Sequence, residues 1–303
     1  MLPAGDDEFL AETRLVTRLR IGQNAPMRFP YHVVDVFTAT PFLGNPVVVI
    51  DCITPGAAPT DEEMQRIAHW TNLSETTFLV PPSDAGADYA VRIFTPSFEL
   101  PFAGHPTLGT CHVWNSLGVT QQRADRIVQE CGIGLVELRN DGRLSFAAPP
   151  LQRSGPLDPD LRTEVIDTLG LEPASVVDTA WVDNGPEWIG VELASADDVL
   201  AITPSTTEHL IGVVGKHPAN GPASIEVRAF FPVDGATRED PVTGSLNASL
   251  AMWLTQRGVL QTPYVARQGT ALGRTGLVHV DDVDGQLWVG GDTVSSVTGE
   301  LAT

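Results

Sequence analysis

Short apolar blocks, rather than long helical stripes, dominate the pattern of hydrophobic and polar positions along this 303-residue chain. YHVVDVF at 31–37 and NPVVVI at 45–50 are rich in β-branched and aromatic residues and predict two adjacent strands across a Gly-containing loop. Residues 75–80 and 89–94 predict the next two, with Pro81, Pro82, Asp84 and Gly86 turning the chain between them. Shorter strands follow at 127–129, 134–138 and 144–147, and Asn140, Asp141 and Gly142 suit a hairpin between the last two. In the second half the same pattern predicts strands at 176–178, 188–191, 225–230, 264–268, 276–280, 286–290 and 293–297. Val213 and Val214 are too few to assign by themselves.

Helical periodicity is scarcer. Thr60 and Glu63 form a capping box ahead of Met64, Ile67 and Ala68, which predicts a helix ending near Trp70. A second helix opens at Pro106, a third covers 161–169 before Gly170, and a fourth covers 247–257 before Gly258. Residues 195–200 and 206–210 suit short helices or turns, and 216–221 a loop. So many strands with so few helices disfavour a doubly wound parallel sheet, and predict mixed α+β domains with mostly antiparallel sheets.

The Pro- and Gly-rich stretch at 149–159 reads as a linker. It divides a first domain, 29–150, from a second, 151–303, whose C-terminal strands remain free to return to the first. Residues 1–28 read as an N-terminal extension, with a short amphipathic helix over 8–19. A sequence echo supports the division: VRIFTP at 91–96 recurs as VRAFFP at 227–232, and each copy runs through a Gly-containing loop into a helix. Two such units suggest a duplicated architecture whose loops face each other, a geometry suited to a small-molecule site.

Charge narrows the partners. Against 18 Lys and Arg stand 38 Asp and Glu, a net of -20, which repels a phosphate backbone or an anionic membrane surface. No segment approaches the roughly 20 apolar residues of a membrane span, and the first residues lack a secretory pattern, so a cytoplasmic protein is expected. Cys52, Cys111 and Cys131 follow no metal-binding or disulfide spacing. The DDVDG turn at 281–285 lacks EF-hand spacing, the histidines lack an HExxH pattern, and neither GxGxxG between strand and helix nor GxxxxGK[ST] occurs. Neither a metal nor a nucleotide cofactor is expected. The absence of GxSxG and of a Cys-His pair also disfavours covalent acyl chemistry, leaving cofactor-free proton transfer.

Three positions could carry it. Glu75, in NLSET after Asn72 and Ser74, is either an ordinary strand-edge carboxylate or, packed beside Leu73, Phe78 and Leu79, a general acid and base whose pKa burial raises. His105, between Gly104 and Pro106, is either a capping or core histidine or part of a helix tip whose free N–H groups hold a carboxylate or enolate. Asp240, Thr243, Gly244 and Ser245 form the mirrored tip, where Asp240 and Ser245 either cap local structure or bind a polar group of the substrate.

Taken together, YHVVDVFTATPFLGNPVVV, NLSETTFL, VRIFTPSFELPFAGHPTLGT and EDPVTGS resemble, in this order, the PhzF family of phenazine-biosynthesis isomerases. The resemblance runs from about Phe29 to the C-terminus. It implies a diaminopimelate epimerase-like fold: two similar domains, each a mostly antiparallel sheet curved around a central helix, with the active site in the cleft between them. It also implies a homodimer without cofactor, acting on a small cyclic organic acid as trans-2,3-dihydro-3-hydroxyanthranilate isomerase does, by proton removal at one carbon and return at another. In that scheme Glu75 is the acid and base, while His105 and Asp240 orient the substrate. Asn72, Ser74, Gly104, Thr243, Gly244 and Ser245 are then the substrate-binding positions. Neither helix-end loop carries the thiol of the two-cysteine racemases of this fold. Epimerase or dehydratase chemistry at the same site, and a non-catalytic binding or regulatory protein, are the alternatives. Two segments depart from the family pattern: LNASL at 246–250 and DNGP at 183–186.

Overall fold

The computed structural model describes residues 27–303. Its first half contains β1 (Arg28–Val36), β2 (Asn45–Asp51), α1 (Asp61–Thr71), β3 (Thr76–Val80), β4 (Tyr89–Phe94), β5 (Glu99–Leu100), α2 (Gly104–Ser116), β6 (Ile127–Cys131), β7 (Gly134–Asn140), β8 (Leu144–Ala147) and β9 (Arg153–Gly155). The second half contains α3 (Pro159–Thr168), β10 (Val176–Asp183), β11 (Trp188–Leu193), α4 (Ala196–Ala201), β12 (Leu210–Lys216), β13 (Ile225–Val233), β14 (Ala236–Asp240), α5 (Gly244–Gln256), β15 (Tyr264–Gln268), β16 (Gly276–Val283), β17 (Gln286–Gly291) and β18 (Thr293–Ala302). The helix expected over 8–19 lies outside the described residues.

The pairings repeat. In the first half β1–β2, β3–β4, β6–β7 and β7–β8 are antiparallel, while β2–β3 and β4–β6 are parallel. In the second half β10–β11, β12–β13, β15–β16 and β16–β17 are antiparallel, while β11–β12 and β13–β15 are parallel. The echoed VR segments therefore occupy equivalent strands, β4 and β13, and each carries a short antiparallel partner, β5 or β14. Between the halves, β17 joins β8, β9 pairs with β10, and β18 returns across the molecule to pair with β1. The 18 strands of the described residues thus belong to one hydrogen-bonded sheet, folded into two mostly antiparallel halves as the pattern predicted.

Each half curls around one helix. Helix α2 is weak by composition, with Gly and Thr in its body, and buries Leu108, Cys111, Val113 and Trp114 on several sides. A helix apolar around most of its circumference is stable when wrapped by a sheet. Helix α5 is enclosed in the same way, and the cluster around both helices is continuous, from Val34 and Val47 in the first half to Val278 and Val289 in the second. Helix α1 closes the outer face of the first half through Met64 and Ala68 against Phe29, Val48 and Phe78. Helices α3 and α4 close the other through Val165, Ile166 and Val199. Both faces of β2 are therefore covered, which is why it reads as an unbroken Val-Val-Val-Ile run rather than an alternation.

Sequence and structure differ at β12. Periodicity predicts a helix or turn at 206–210 and leaves Val213 and Val214 unassigned, yet a strand begins at Leu210. Gly212 and Gly215 mask it: a Cβ on Gly212 would collide with Leu246 of α5, and one on Gly215 with the Ser195 carbonyl. The strand gives up side chains to let the central helix approach at Gly212 and the start of α4 at Gly215. In the first half the same close approach places the glycine on the helix, where a Cβ on Gly109 would collide with Val47 of β2. The linker stretch at 149–159 also contains β9, in register with β10.

Gly109→Ala should cost about 1–3 kcal/mol through overpacking against a sheet that has little room to retreat. Urea unfolding measures it, and an unchanged midpoint would show that α2 is not clamped at this point.

Candidate active site

The two enclosed helices meet N-terminus to N-terminus. A Cβ on Gly104 would lie 2.8 Å from the Phe146 ring and 3.1 Å from the Gly244 Cα, and one on Gly244 would lie 3.1 Å from the Gly104 Cα. Only residues without side chains permit this approach. Neither N-cap residue, Ala103 or Thr243, caps its helix with a side-chain hydrogen bond. The first-turn N–H groups have no intrahelical acceptor, and both helix dipoles present their positive ends at the junction.

Glu75 arrives there from the first half. Helix α1 ends at Asn72, whose left-handed backbone (φ 54°) turns the chain so that Glu75 immediately precedes β3. Its Oε2 lies 3.2 Å from His105 Nε2, with the side chains only 15% and 6% exposed. The two atoms are not aligned as a hydrogen bond, and neither has another partner among the described residues. Asp240 arrives from the second half at the end of β14 and accepts hydrogen bonds from Thr243 Oγ1 (2.6 Å) and Asn45 Nδ2 (3.1 Å).

Asn45 ties the halves together. Its amide nitrogen also donates to the Val242 carbonyl at 2.9 Å and lies 3.4 Å from His105 Nδ1. Because that nitrogen faces a carboxylate and a carbonyl, the orientation of the amide is fixed by its neighbours. Both hydrogens of that nitrogen go to Asp240 and Val242, and it offers no acceptor, so a proton on His105 Nδ1 would have nothing to meet and the ring proton sits on Nε2. Behind Asp240, Gln268 donates through Nε2 to Thr243 Oγ1 (2.9 Å) and to the Asp240 carbonyl (3.1 Å), and accepts through Oε1 from the Thr243 N–H (3.0 Å) and from Asn247 (2.9 Å).

The electrostatics follow from two carboxyl groups in a closed site with no Lys or Arg ion-paired to either among the described residues. Burial, with the Asp240 charge second, pushes the Glu75 carboxyl up to about 8. Burial also raises Asp240, but hydrogen bonds from Thr243 and Asn45 favour its anion and hold it to about 6. Burial lowers His105 to about 3, so the imidazole is neutral. Near neutrality Asp240 is the anion and Glu75 holds the proton, a separation of roles that suits acid–base work.

Of the sequence candidates, Glu75, His105, Asp240, Gly104, Thr243, Gly244 and Ser245 come together at the helix tips. Asn72 and Ser74 do not join their hydrogen bonds: both are exposed, and Asn72 serves as the C-cap of α1. Asn45 and Gln268 were not singled out from sequence. Asn45 stands inside a segment read as the start of a strand, where an Asn between Gly and Pro was the available signal. Gln268 ends a strand and carried none. A hollow of about 280 Å³ lined by Ser195, Asp197, Lys216 and His217 shares no residue with the cluster. Among the described residues no group of three or more His, Cys, Asp or Glu could hold a metal ion, and no helix is long and apolar enough to cross a membrane.

Two curled half-sheets with their central helices meeting at an acid–base cluster define an isomerase of the diaminopimelate epimerase-like fold. Comparison with known proteins narrows the class. Residues 34–299 match the family model described as phenazine biosynthesis-like protein. A fission yeast (Schizosaccharomyces pombe) protein, Antisense-enhancing sequence 1, is 34% identical over 291 residues, covering 88% of this chain and 96% of its own. Trans-2,3-dihydro-3-hydroxyanthranilate isomerase of Pseudomonas aeruginosa is 34% identical over 263 residues, covering 80% and 87%. The crystal structure of a PhzF-family phenazine biosynthesis protein from Enterococcus faecalis superposes with a TM-score of 0.73 at 26% identity, over 91% of this chain and 99% of that one. This chain belongs to the PhzF family of phenazine biosynthesis-like isomerases.

The Glu75 shift has a signed consequence for stability. A folded-state pKa raised from 4.5 to about 8 means that the folded chain binds this proton more tightly than the unfolded chain does. The associated stabilisation is complete below the unfolded value and disappears as pH rises through the folded one. Wild-type stability should therefore fall between pH about 5 and 8.5 more steeply than that of Glu75→Gln, by up to about 1.4 kcal/mol per pH unit for one proton. Parallel declines in denaturation midpoints would contradict the assignment.

Proposed function

We propose that the chain is a cofactor-independent isomerase that moves a proton between two carbons of a small cyclic carboxylated substrate, with Glu75 as the carrier. The observation that supports this most is a near-buried carboxyl of raised pKa, facing a neutral histidine beneath two helix tips. As carboxylate, Glu75 removes a proton from carbon. The resulting delocalised anion lies among the His105 Nε2–H and the first-turn N–H groups of α2 and α5, donors that are already oriented before charge develops. Glu75, now the acid, returns the proton at a second carbon within its reach. The substrate carboxylate takes the remaining N–H groups at the tips, as anions do at helix N-termini. Asp240, held by Asn45 and Thr243, receives a polar hydrogen of the substrate. Ser74, exposed beside Glu75, lines the approach.

Pseudo-symmetry favours this reading over an epimerase that inverts one carbon with two carriers. Arg92 pairs in register with Phe78, and the echoed Arg228 pairs with Val213. Stepping back three residues from each gives Glu75 and Leu210, so an apolar side chain stands where a second, symmetric carrier would be. His105, which follows Gly104, has Ser245 after Gly244 as its counterpart.

Incubation with trans-2,3-dihydro-3-hydroxyanthranilate and a panel of small cyclic acids in deuterated water tests the proposal. Wild type should transfer hydrogen with solvent exchange that rises with pH toward about 8, and Glu75→Gln should slow it by about a hundredfold or more. Turnover that survives unchanged in the variant would remove Glu75 from the role.

A further inference from the structure

Gln268 closes β15 beside the tip of α5 and is fully buried. The next residue, Gly269, has a left-handed backbone (φ 92°), and a Cβ there would lie 2.7 Å from the Pro241 carbonyl, so the end of the strand is pressed against the loop that follows Asp240. A primary amide has two hydrogens to give and an oxygen with room for two. All four places are taken at Gln268. Nε2 donates to Thr243 Oγ1 and to the Asp240 carbonyl, while Oε1 accepts from the Thr243 N–H and from Asn247 Nδ2. Asn247, itself buried, donates in turn to the Thr243 carbonyl at 2.9 Å.

These partners fix which end of the amide is which, because a backbone carbonyl requires the nitrogen and a backbone N–H requires the oxygen. The Thr243 hydroxyl accepts from Nε2 on one side, so its single hydrogen goes to Asp240 Oδ2 at 2.6 Å. The direction of the chain from Gln268 through Thr243 to Asp240 is thereby set, and it ends on the carboxylate. A hydroxyl donating to an anion at this distance makes a strong, charge-assisted bond, and the donor behind it polarises it further. Burial raises Asp240, and this bond opposes the rise. The other charged or titratable groups around Asp240 are Glu239, its neighbour on β14 that pairs with Arg228, and Glu75 and His105 from the first half. Among the described residues none of them is hydrogen-bonded to Gln268.

We propose that Gln268 is a positioning residue for Asp240: by holding the Thr243 hydroxyl as a donor, it keeps the Asp240 carboxylate fixed as the acceptor for a polar hydrogen of the substrate. This deepens the isomerase reading above and rests on the role given to Asp240 there. Gln268 acts through Thr243 and touches no reacting atom. An apolar side chain of similar size leaves the hydroxyl free to rotate away, and Asp240 then holds its proton more tightly.

Titration of the Asp240 carboxyl tests this without reference to turnover, by carbon NMR of the full chain isotopically labelled at its aspartate carboxyls, with the signal assigned through its loss in Asp240→Asn. In wild type it should titrate at about pH 6. Gln268→Met should raise the midpoint by about one pH unit, a gain of about tenfold in proton affinity. Thr243→Val should raise it at least as far, and adding Gln268→Met to Thr243→Val should move it no further, since both act on one hydroxyl. Gln268→Ala, with room for a water to meet the vacated backbone groups, should shift it in the same direction and is the variant read where Gln268→Met loses the dispersed spectrum of the fold. A midpoint that stays in place in a folded Gln268 variant, or that moves as far without the Thr243 hydroxyl as with it, would overturn the assignment. With trans-2,3-dihydro-3-hydroxyanthranilate in deuterated water, the acid limb of hydrogen exchange should move up in Gln268→Met by the same amount. Glu75→Gln should slow exchange yet leave the Asp240 midpoint responsive to Gln268, so that failure of the carrier role and failure of the Gln268 role are read separately.

Discussion

The contact between Gly104 and Gly244 is the constraint on which the rest of the structure depends. Two helices brought tip to tip concentrate unpaired N–H groups and two positive dipole ends in one small volume. A chain with net charge -20 has carboxylates in excess, and this junction keeps two of them, Glu75 and Asp240, close together without an ion-paired Lys or Arg among the described residues. Bringing the tips this close requires each helix to be gripped along its length. The curled half-sheets do that, and they in turn require glycines at Gly109 and Gly212 where helix and strand meet.

Duplication built the scaffold, and departures from its symmetry make it chemical. Phe94 pairs with Glu99 as Phe230 pairs with Glu239, so the two glutamates are equivalent, and each binds the arginine of its own VR echo. One residue further on, the first half has Leu100 and the second has Asp240. At the complementary position the first half has Glu75 and the second Leu210. Each half therefore contributes one carboxyl from a place where its twin is leucine. The two acids reach different environments: Asp240 sits within hydrogen bonds and Glu75 without an aligned one, which is why their affinities for a proton diverge.

Much of this was legible in the sequence, for identifiable reasons. Blocks rich in Val, Ile and aromatic residues announced the strands, and the VRIFTP echo announced the repeat. The Gly-His-Pro turn and the NLSE, DPVTGS and related blocks located both helix tips, although the assignment of roles to Glu75, His105 and Asp240 came through family resemblance rather than spacing. Strand β12 was hidden because Gly212 answers to helix α5 and Gly215 to the start of α4, contacts that no local window contains. Asn45 and Gln268 were hidden for a similar reason. Asn45 meets Asp240 across 195 positions of chain, so its importance exists only after folding has joined the halves.

The exchange of β9 and β18 between the halves sets the order in which the molecule can be completed. Strand β1 pairs with β2 soon after synthesis, yet its other edge waits for β18, with Arg28 opposite Ala302 in register. Contacts of such long sequence separation form late because a large loop must close first. On the ribosome, β1 is thus left with a bare edge, open to misplaced neighbours, until β18 has emerged. The nascent chain has to hold β1 in readiness for β18.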